Sequence, residues 1–217
     1  MKNIISTSNL DALPGIKQLK QLCQSIALLD AILEPNWEFR YYSYNSKWAP
    51  DEELASMRDG SGDSYFILFN QQGVIVKGYS HESILGKYAA EHGYSYPGIL
   101  EQVPSDFQNF VEEPAFSMEE TSFCAWRKWS DNSWSKGDII SPIGDDPDGS
   151  KDLLFILDGD PSTYQKWAET YYDKMISLEA IEAIYRHAPL TDGLIVQLNP
   201  TLTTLSIKED IAEIDYP

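Results

Sequence analysis

Cysteine, histidine, basic residues and long apolar runs are all scarce in this chain, and each scarcity removes a class of function. Among 217 residues there are two cysteines, Cys23 and Cys124, far apart in sequence. A disulfide scaffold is therefore excluded, and both thiols are expected reduced and buried, Cys23 on an apolar helix face and Cys124 in a strand. The three histidines, His81, His92 and His187, have no ligand partner at a standard spacing, whereas catalytic zinc needs three convergent ligands. No cofactor is implied: a Walker loop, a dinucleotide glycine fingerprint and a Gly-x-Ser-x-Gly elbow are all missing. Apolar runs such as Ile26-Ala27-Leu28-Leu29 are far too short to span a bilayer. Met1–Asn9 has neither a long apolar stretch nor a small-residue cleavage site, so the expected location is the cytoplasm.

What the chain has is acid. Sixteen Lys and Arg stand against 34 Asp and Glu, a net charge of −18. The excess is uneven: residues 1–108 hold 13 acids against 8 bases, and residues 109–217 hold 21 against 8. Such a surface repels phosphate backbones and anionic lipid, which argues against nucleic-acid or membrane binding. It attracts a basic protein partner and speeds encounter with it, although acidity also serves solubility alone. The hydrophobic fraction of 42% belongs to a globular chain. Folding at this length removes roughly 70% of the unfolded chain's accessible surface, so the core needs no staple.

The periodicity predicts an α+β fold: an antiparallel sheet packed with helices, an N-terminal helix and a helical C-terminal third. In residues 14–33, Ile16, Leu19, Leu22, Ile26, Leu29 and Leu33 recur at helical spacing, with Pro14 suited to the first turn and Pro35 ending the segment. Trp37–Tyr44 alternates as a half-exposed strand does, followed by a loop over Asn45–Pro50 and a short segment at Leu54–Met57. Ser64–Phe69 and Val74–Tyr79 flank a polar loop ending in Gly73, the strongest hairpin in the chain. Its first strand is nearly all apolar, which places it centrally with both faces covered. Helices are expected at Ser83–His92, with Ile84, Leu85 and Tyr88 inward, and at Ser105–Glu112, then strands at Thr121–Trp129 and Asp138–Ile143. After a turn at 144–150 come helices at Asp152–Leu157, Pro161–Tyr172, Ser177–His187, Thr191–Leu198 and Ser206–Ile214. Residues 1–143 thus read as a sheet-containing region and 144–217 as a helical region packed on it within one domain.

Three groups of residues are candidates for a binding site. His81 and Glu82 sit where a strand gives way to a helix, although Ser80 or Ser83 there serves equally as a cap. On a strand, the side chains of His81 and Glu82 would point to opposite faces. Trp126, Arg127 and Trp129 offer the aromatic and guanidinium groups that anchor interfaces, against the simpler reading of Trp126 as core. Asp145, Asp146 and Asp148 form an acidic loop that echoes a calcium loop only in part. With Gly149 at the glycine position, the first ligand would fall on Gly144 and the twelfth on Phe155, so a turn is the better reading. Gly60-Ser61-Gly62 precedes no helix and reads as a turn, not a phosphate cradle. Adjacent pairs such as Glu112-Glu113 are too common here to indicate acid–base catalysis. No catalytic residue and no metal site is assigned.

The stretch from Asp59 to His81, with Gly60–Phe69 as one strand and Gly73–Val76 as its return, resembles the central hairpin of the SUKH-type immunity-protein superfamily. Leu13-Pro14 before a helix is a second echo. The resemblance implies an α+β protein that neutralises a toxin, often a nuclease, by contact and not by catalysis. The leading expectation is accordingly a non-enzymatic protein-binding protein, toxin-neutralising in kind, acting through an acidic, aromatic-edged surface. A hydrolase built on carboxylates around His81 and Glu82 is one alternative, and it requires a deep pocket holding that pair. A regulatory or scaffold subunit is another, and it requires scattered charge and a flat apolar patch. Oligomeric state is left open.

Overall fold

The computed structural model describes residues 4–140, 142 and 144–217. One six-stranded antiparallel sheet runs in sequence order: β1 (Tyr42–Ala49), β2 (Glu52–Arg58), β3 (Ser64–Phe69), β4 (Gly73–Tyr79), β5 (Phe123–Lys128) and the two-residue β6 (Ser135–Lys136). Register is fixed by the two-residue alternation of apolar side chains. Tyr65, Ile67, Phe69, Val74, Val76, Phe123 and Ala125 point to one face; Leu68, Ile75, Cys124 and Trp126 point to the other. The β3–β4 hairpin is central and buried on both sides, as its apolar composition predicts.

The first face carries the larger core. It is covered by α1 (Ile16–Leu33) and by the C-terminal helices α4 (Ser150–Leu154), α5 (Pro161–Tyr172), α6 (Leu178–Tyr185), α7 (Asp192–Leu198) and α8 (Lys208–Ile214). Helix α1 is buried without a break from Leu22 to Leu33, as befits a helix wrapped by β1, α6, α7 and α8. Two of its buried polar groups are satisfied by the neighbouring helices. Ser25 Oγ donates to the Ile184 carbonyl (3.1 Å) and Gln24 Nε2 to that of Ile214 (3.0 Å).

The second face is capped by the chain between β4 and β5, including α2 (Ile84–His92) and α3 (Gln108–Glu112). Leu85, Ile99, Phe107, Phe110, Phe116 and Met118 seal a smaller core there. Ser83 caps α2 by accepting the Gly86 N–H (2.9 Å), and Gly93 ends it in the left-handed region at φ 75°. Cys23 belongs to the first core and Cys124 to the second, so the sheet separates two free, buried thiols.

Three expectations need correction. The first strand lies later than the alternation indicates: Trp37–Phe39 is a 3-10 turn and β1 runs through Ala49, including much of the expected loop. Buried Asp30 sets this boundary by accepting the N–H groups of Tyr41 (3.0 Å) and Tyr42 (2.9 Å), which starts the strand there. Ile84, expected inward, is exposed. Asp138, Ile139 and Ile140 belong to no strand, because β5 pairs instead with Ser135–Lys136; residues 141 and 143 of that expected strand lie outside the described residues. Among the described residues no helix is long and apolar enough to cross a membrane.

Candidate functional site

The fold divides the sequence candidates between the two ends of the sheet. At the end marked by the β2–β3 turn lie His81, Glu82 and the acidic loop. The Asp59 carboxylate staples this turn, accepting N–H groups from Ser61 (2.7 Å), Gly62 (3.0 Å) and Asp63 (2.9 Å). Asp63 Oδ1 in turn meets His81 Nδ1 at 2.6 Å and holds the imidazole pKa above its ordinary value. His81 and Glu82 occupy a turn, so their side chains converge, with Nε2 3.5 Å from Glu82 Oε1, instead of pointing apart. Lys87 Nζ pairs with the other Glu82 oxygen (2.8 Å). This cluster lies on the surface and does not line the groove of about 1330 Å³ at the other end of the sheet. His81 has an orienting carboxylate, but its second nitrogen faces a carboxylate, not a hydroxyl or thiol that it could activate.

The acidic loop is mostly internal wiring. Asp148 is buried, accepts the Thr7 hydroxyl and the Ser150 N–H (3.0 Å), and so pins the N-terminal segment. Asp146 accepts the N–H groups of Lys151 (3.1 Å) and Asp152 (3.3 Å) at the start of α4; partial burial raises its pKa. Only Asp145 is freely exposed, and it pairs with Lys151 Nζ (2.5 Å). The loop abuts His81's neighbours: Leu85 N–H reaches the Pro147 carbonyl (3.0 Å), and Ser122 Oγ reaches that of Asp148 (2.7 Å).

The aromatic candidates occupy the opposite end, where the β1–β2 and β3–β4 turns lie. Trp126 is buried in the second core and offers no surface. Arg127 is half-buried and holds the following loop through the carbonyls of Asp131 (3.3 Å) and Asn132 (3.0 Å). Trp129 is 49% exposed, its ring held by an Nε1 hydrogen bond to the Asn70 carbonyl (3.2 Å).

Two grooves meet at this end, and both were hidden from the sequence. The larger, of about 1330 Å³, runs between α1 (Lys17, Lys20, Gln21) and the β1–β2 hairpin (Ser46–Glu53), with Trp129 and Asn70 at one side and His187 and Asp215 also on its wall. In its wall Glu53 bridges Lys20 Nζ (2.5 Å) and the buried Tyr44 hydroxyl (2.6 Å). The smaller groove, of about 340 Å³, lies across the hairpin tip and shares Trp48, Ala49 and Glu52 with the first. Trp48 stacks on Phe116 (5.8 Å between centroids, 26° between planes), and Glu112 and Glu113 complete the rim. Glu52 is raised above the usual carboxylate range by burial, with the charge of Glu113 adding to it. Among the described residues none of Glu52, Glu112 and Glu113 has a cationic partner.

The smaller groove belongs to a wider acidic face. From residue 88 to residue 126 the chain has no Lys or Arg but seven carboxylates, namely Glu91, Glu101, Asp106, Glu112, Glu113, Glu119 and Glu120. This stretch is the cap over the second core, so folding gathers those charges on one side of the sheet. Asp106 alone among them is ion-paired within the described residues, to Lys128. The long cation-free interval was the sequence signal that could have found this face; Trp48 had none, because its role depends on meeting Phe116. No group of three or more His, Cys, Asp or Glu side chains among the described residues is placed to hold a metal ion. Compared with known proteins, the chain matches no family model, no curated protein and no solved structure.

Proposed function

We propose that this chain is a non-catalytic protein-binding protein that receives a basic partner on the cap over its second core, centred on the Trp48 groove. The observation that carries this reading is the groove itself: an exposed tryptophan braced on Phe116, ringed by three carboxylates that have no cation in the described structure. Glu52 is partly desolvated and lies in the field of Glu113, and a partner's Lys or Arg side chain relieves that cost while packing on the indole face. Aromatic anchors within a charged rim are the usual anatomy of an interface that associates fast and specifically.

Toxin neutralisation is the form of binding we favour. Its supports are the likeness of the β3–β4 hairpin to the SUKH-type immunity proteins and the electrostatics: a nuclease toxin must carry a basic groove for its phosphate substrate, and an acidic cap blocks such a groove by contact. Among the described residues the His81–Asp63 pair meets no nucleophile and does not line the larger groove, which is why hydrolysis is not our reading.

A photo-crosslinking residue placed in turn at Glu112, Glu119 and, on the opposite side of the sheet, Glu179 tests the proposal. Adducts with a basic protein are expected from the first two positions only. They should disappear at about 1 M salt, where the Debye length shrinks to ~3 Å. The Glu112→Gln/Glu113→Gln variant is expected to slow association with that protein roughly ten-fold at low salt. Equal labelling from Glu179, or capture indifferent to salt, would overturn the reading.

A further inference from the structure

We infer that the larger groove is a second site, adjoining the first at Trp48, and that its ligand is a neutral oligosaccharide. The groove is open to solvent and has a volume of about 1330 Å³, which exceeds the ~300–1,000 Å³ of a compact small-molecule pocket and suits a short chain of rings. Two exposed tryptophans stand in it. Trp129 is clamped by its hydrogen bond to Asn70, and Trp48, braced by Phe116 across the hairpin tip, borders both grooves. Immobilised indoles supply large apolar platforms at little entropic cost, and the C–H face of a pyranose ring is their natural complement.

The polar lining decides the charge of the ligand. Lys17 and Lys47 face into the groove from its two walls with no ion pair among the described residues. Asp51, Glu52 and Asp215 also line it. An anionic ligand would meet those carboxylates and the field of a chain carrying −18. A cationic ligand would meet the two lysines here, whereas the neighbouring groove offers it carboxylates alone. A hydroxyl group both donates and accepts, so a ring bearing several of them satisfies lysine donors and carboxylate acceptors together without carrying charge.

Intrinsic tryptophan fluorescence of the full chain, titrated with cellohexaose, maltohexaose and chitohexaose, tests this directly. At least one is expected to give a saturable shift that survives about 1 M salt, since no charge is matched. Trp129→Ala should weaken it roughly three- to ten-fold, the size of one aromatic contact. Lys17→Ala, at an exposed helix position, should weaken it without touching either indole, and circular dichroism checks that both variants fold. No response to any of the three hexasaccharides overturns the inference, as does undiminished binding in both variants. Preference for an oligo-uronate over the neutral chains also overturns it. Because the site is read with purified protein at high salt, its failure leaves the salt-sensitive basic partner of the other groove untouched, and the converse holds.

Discussion

Asp30→Asn is the perturbation that most sharply tests the energetics of this fold. Asp30 is fully buried in α1; one oxygen accepts the N–H groups of Tyr41 (3.0 Å) and Tyr42 (2.9 Å), and the other accepts the Tyr164 hydroxyl (2.6 Å). Burial pushes its pKa from 3.8 up to about 6, because these hydrogen bonds to the charged form offset only part of the desolvation. Between those values the folded chain keeps a proton that the unfolded chain has released. The contribution of Asp30 is therefore most favourable at low pH, declines as pH rises through about 6, and is flat above that. A gap of about two pKa units at ~1.4 kcal/mol each sets the swing at about 3 kcal/mol. Asparagine keeps the shape: its oxygen still accepts the two N–H groups, its amide donates to Tyr164, and nothing titrates.

Urea unfolding of both proteins, followed by circular dichroism at a series of pH values, isolates the effect, because the remaining carboxylates cancel in the difference. At about pH 4 the two should agree within ~1 kcal/mol, and by about pH 7.5 the variant should be the more stable by roughly 2–3 kcal/mol. Parallel stability curves across that range would refute the reasoning, since they would mean a carboxylate ionised throughout and paid no penalty for its burial.

Other substitutions probe single joints. Gly149 sits at φ +74°, and a Cβ there would fall 2.2 Å from that of Ser80; Gly149→Ala should lower the melting temperature by roughly 5 °C or more in a thermal scan. Ser83→Ala removes the α2 cap and should cost about 1 kcal/mol in urea unfolding. Burial holds the Cys23 thiol far above its ordinary pKa and pushes Cys124 up to about 12, so neither should react with an aromatic disulfide reagent until the chain is unfolded. Lys77, buried on β4, donates to the carbonyls of Ser117 (3.2 Å) and Glu120 (2.7 Å). In Lys77→Met, hydrogen exchange over residues 117–120 should accelerate while β3 and β4 stay protected.

Local chemistry made most of the elements legible. The three- and four-residue spacing from Ile16 to Leu33 could form only a buried-face helix, and the apolar run Ser64–Phe69 could sit only inside a sheet. The helices expected from Pro161 and Ser177 are capped there in the structure, Asp160 accepting the Ser162 N–H (2.8 Å) and Ser177 that of Ala180 (3.3 Å). The misplaced first strand shows where such signals stop. Aromatic alternation over Trp37–Tyr44 looked extended, but the strand begins where Asp30, eleven residues back from Tyr41, presents its carboxylate.

The candidate site was less legible for the same reason. Trp126 and Trp129 are near neighbours in sequence, yet one is core and the other surface, because β5 ends between them at Lys128. Asp145 and Asp148 look alike in a chain, but only Asp148 meets Thr7, which lies 141 positions away, and is buried by it. Composition, periodicity and residue order by themselves determined that this is an acidic, cysteine-poor α+β chain without a linear catalytic motif. Tertiary structure alone decided that Trp48 stacks on Phe116, that Glu52 joins Glu112 and Glu113, and that two grooves share one hairpin tip. Those contacts join residues far apart in sequence, and no local propensity encodes a distance closed only by packing two layers on opposite faces of one sheet.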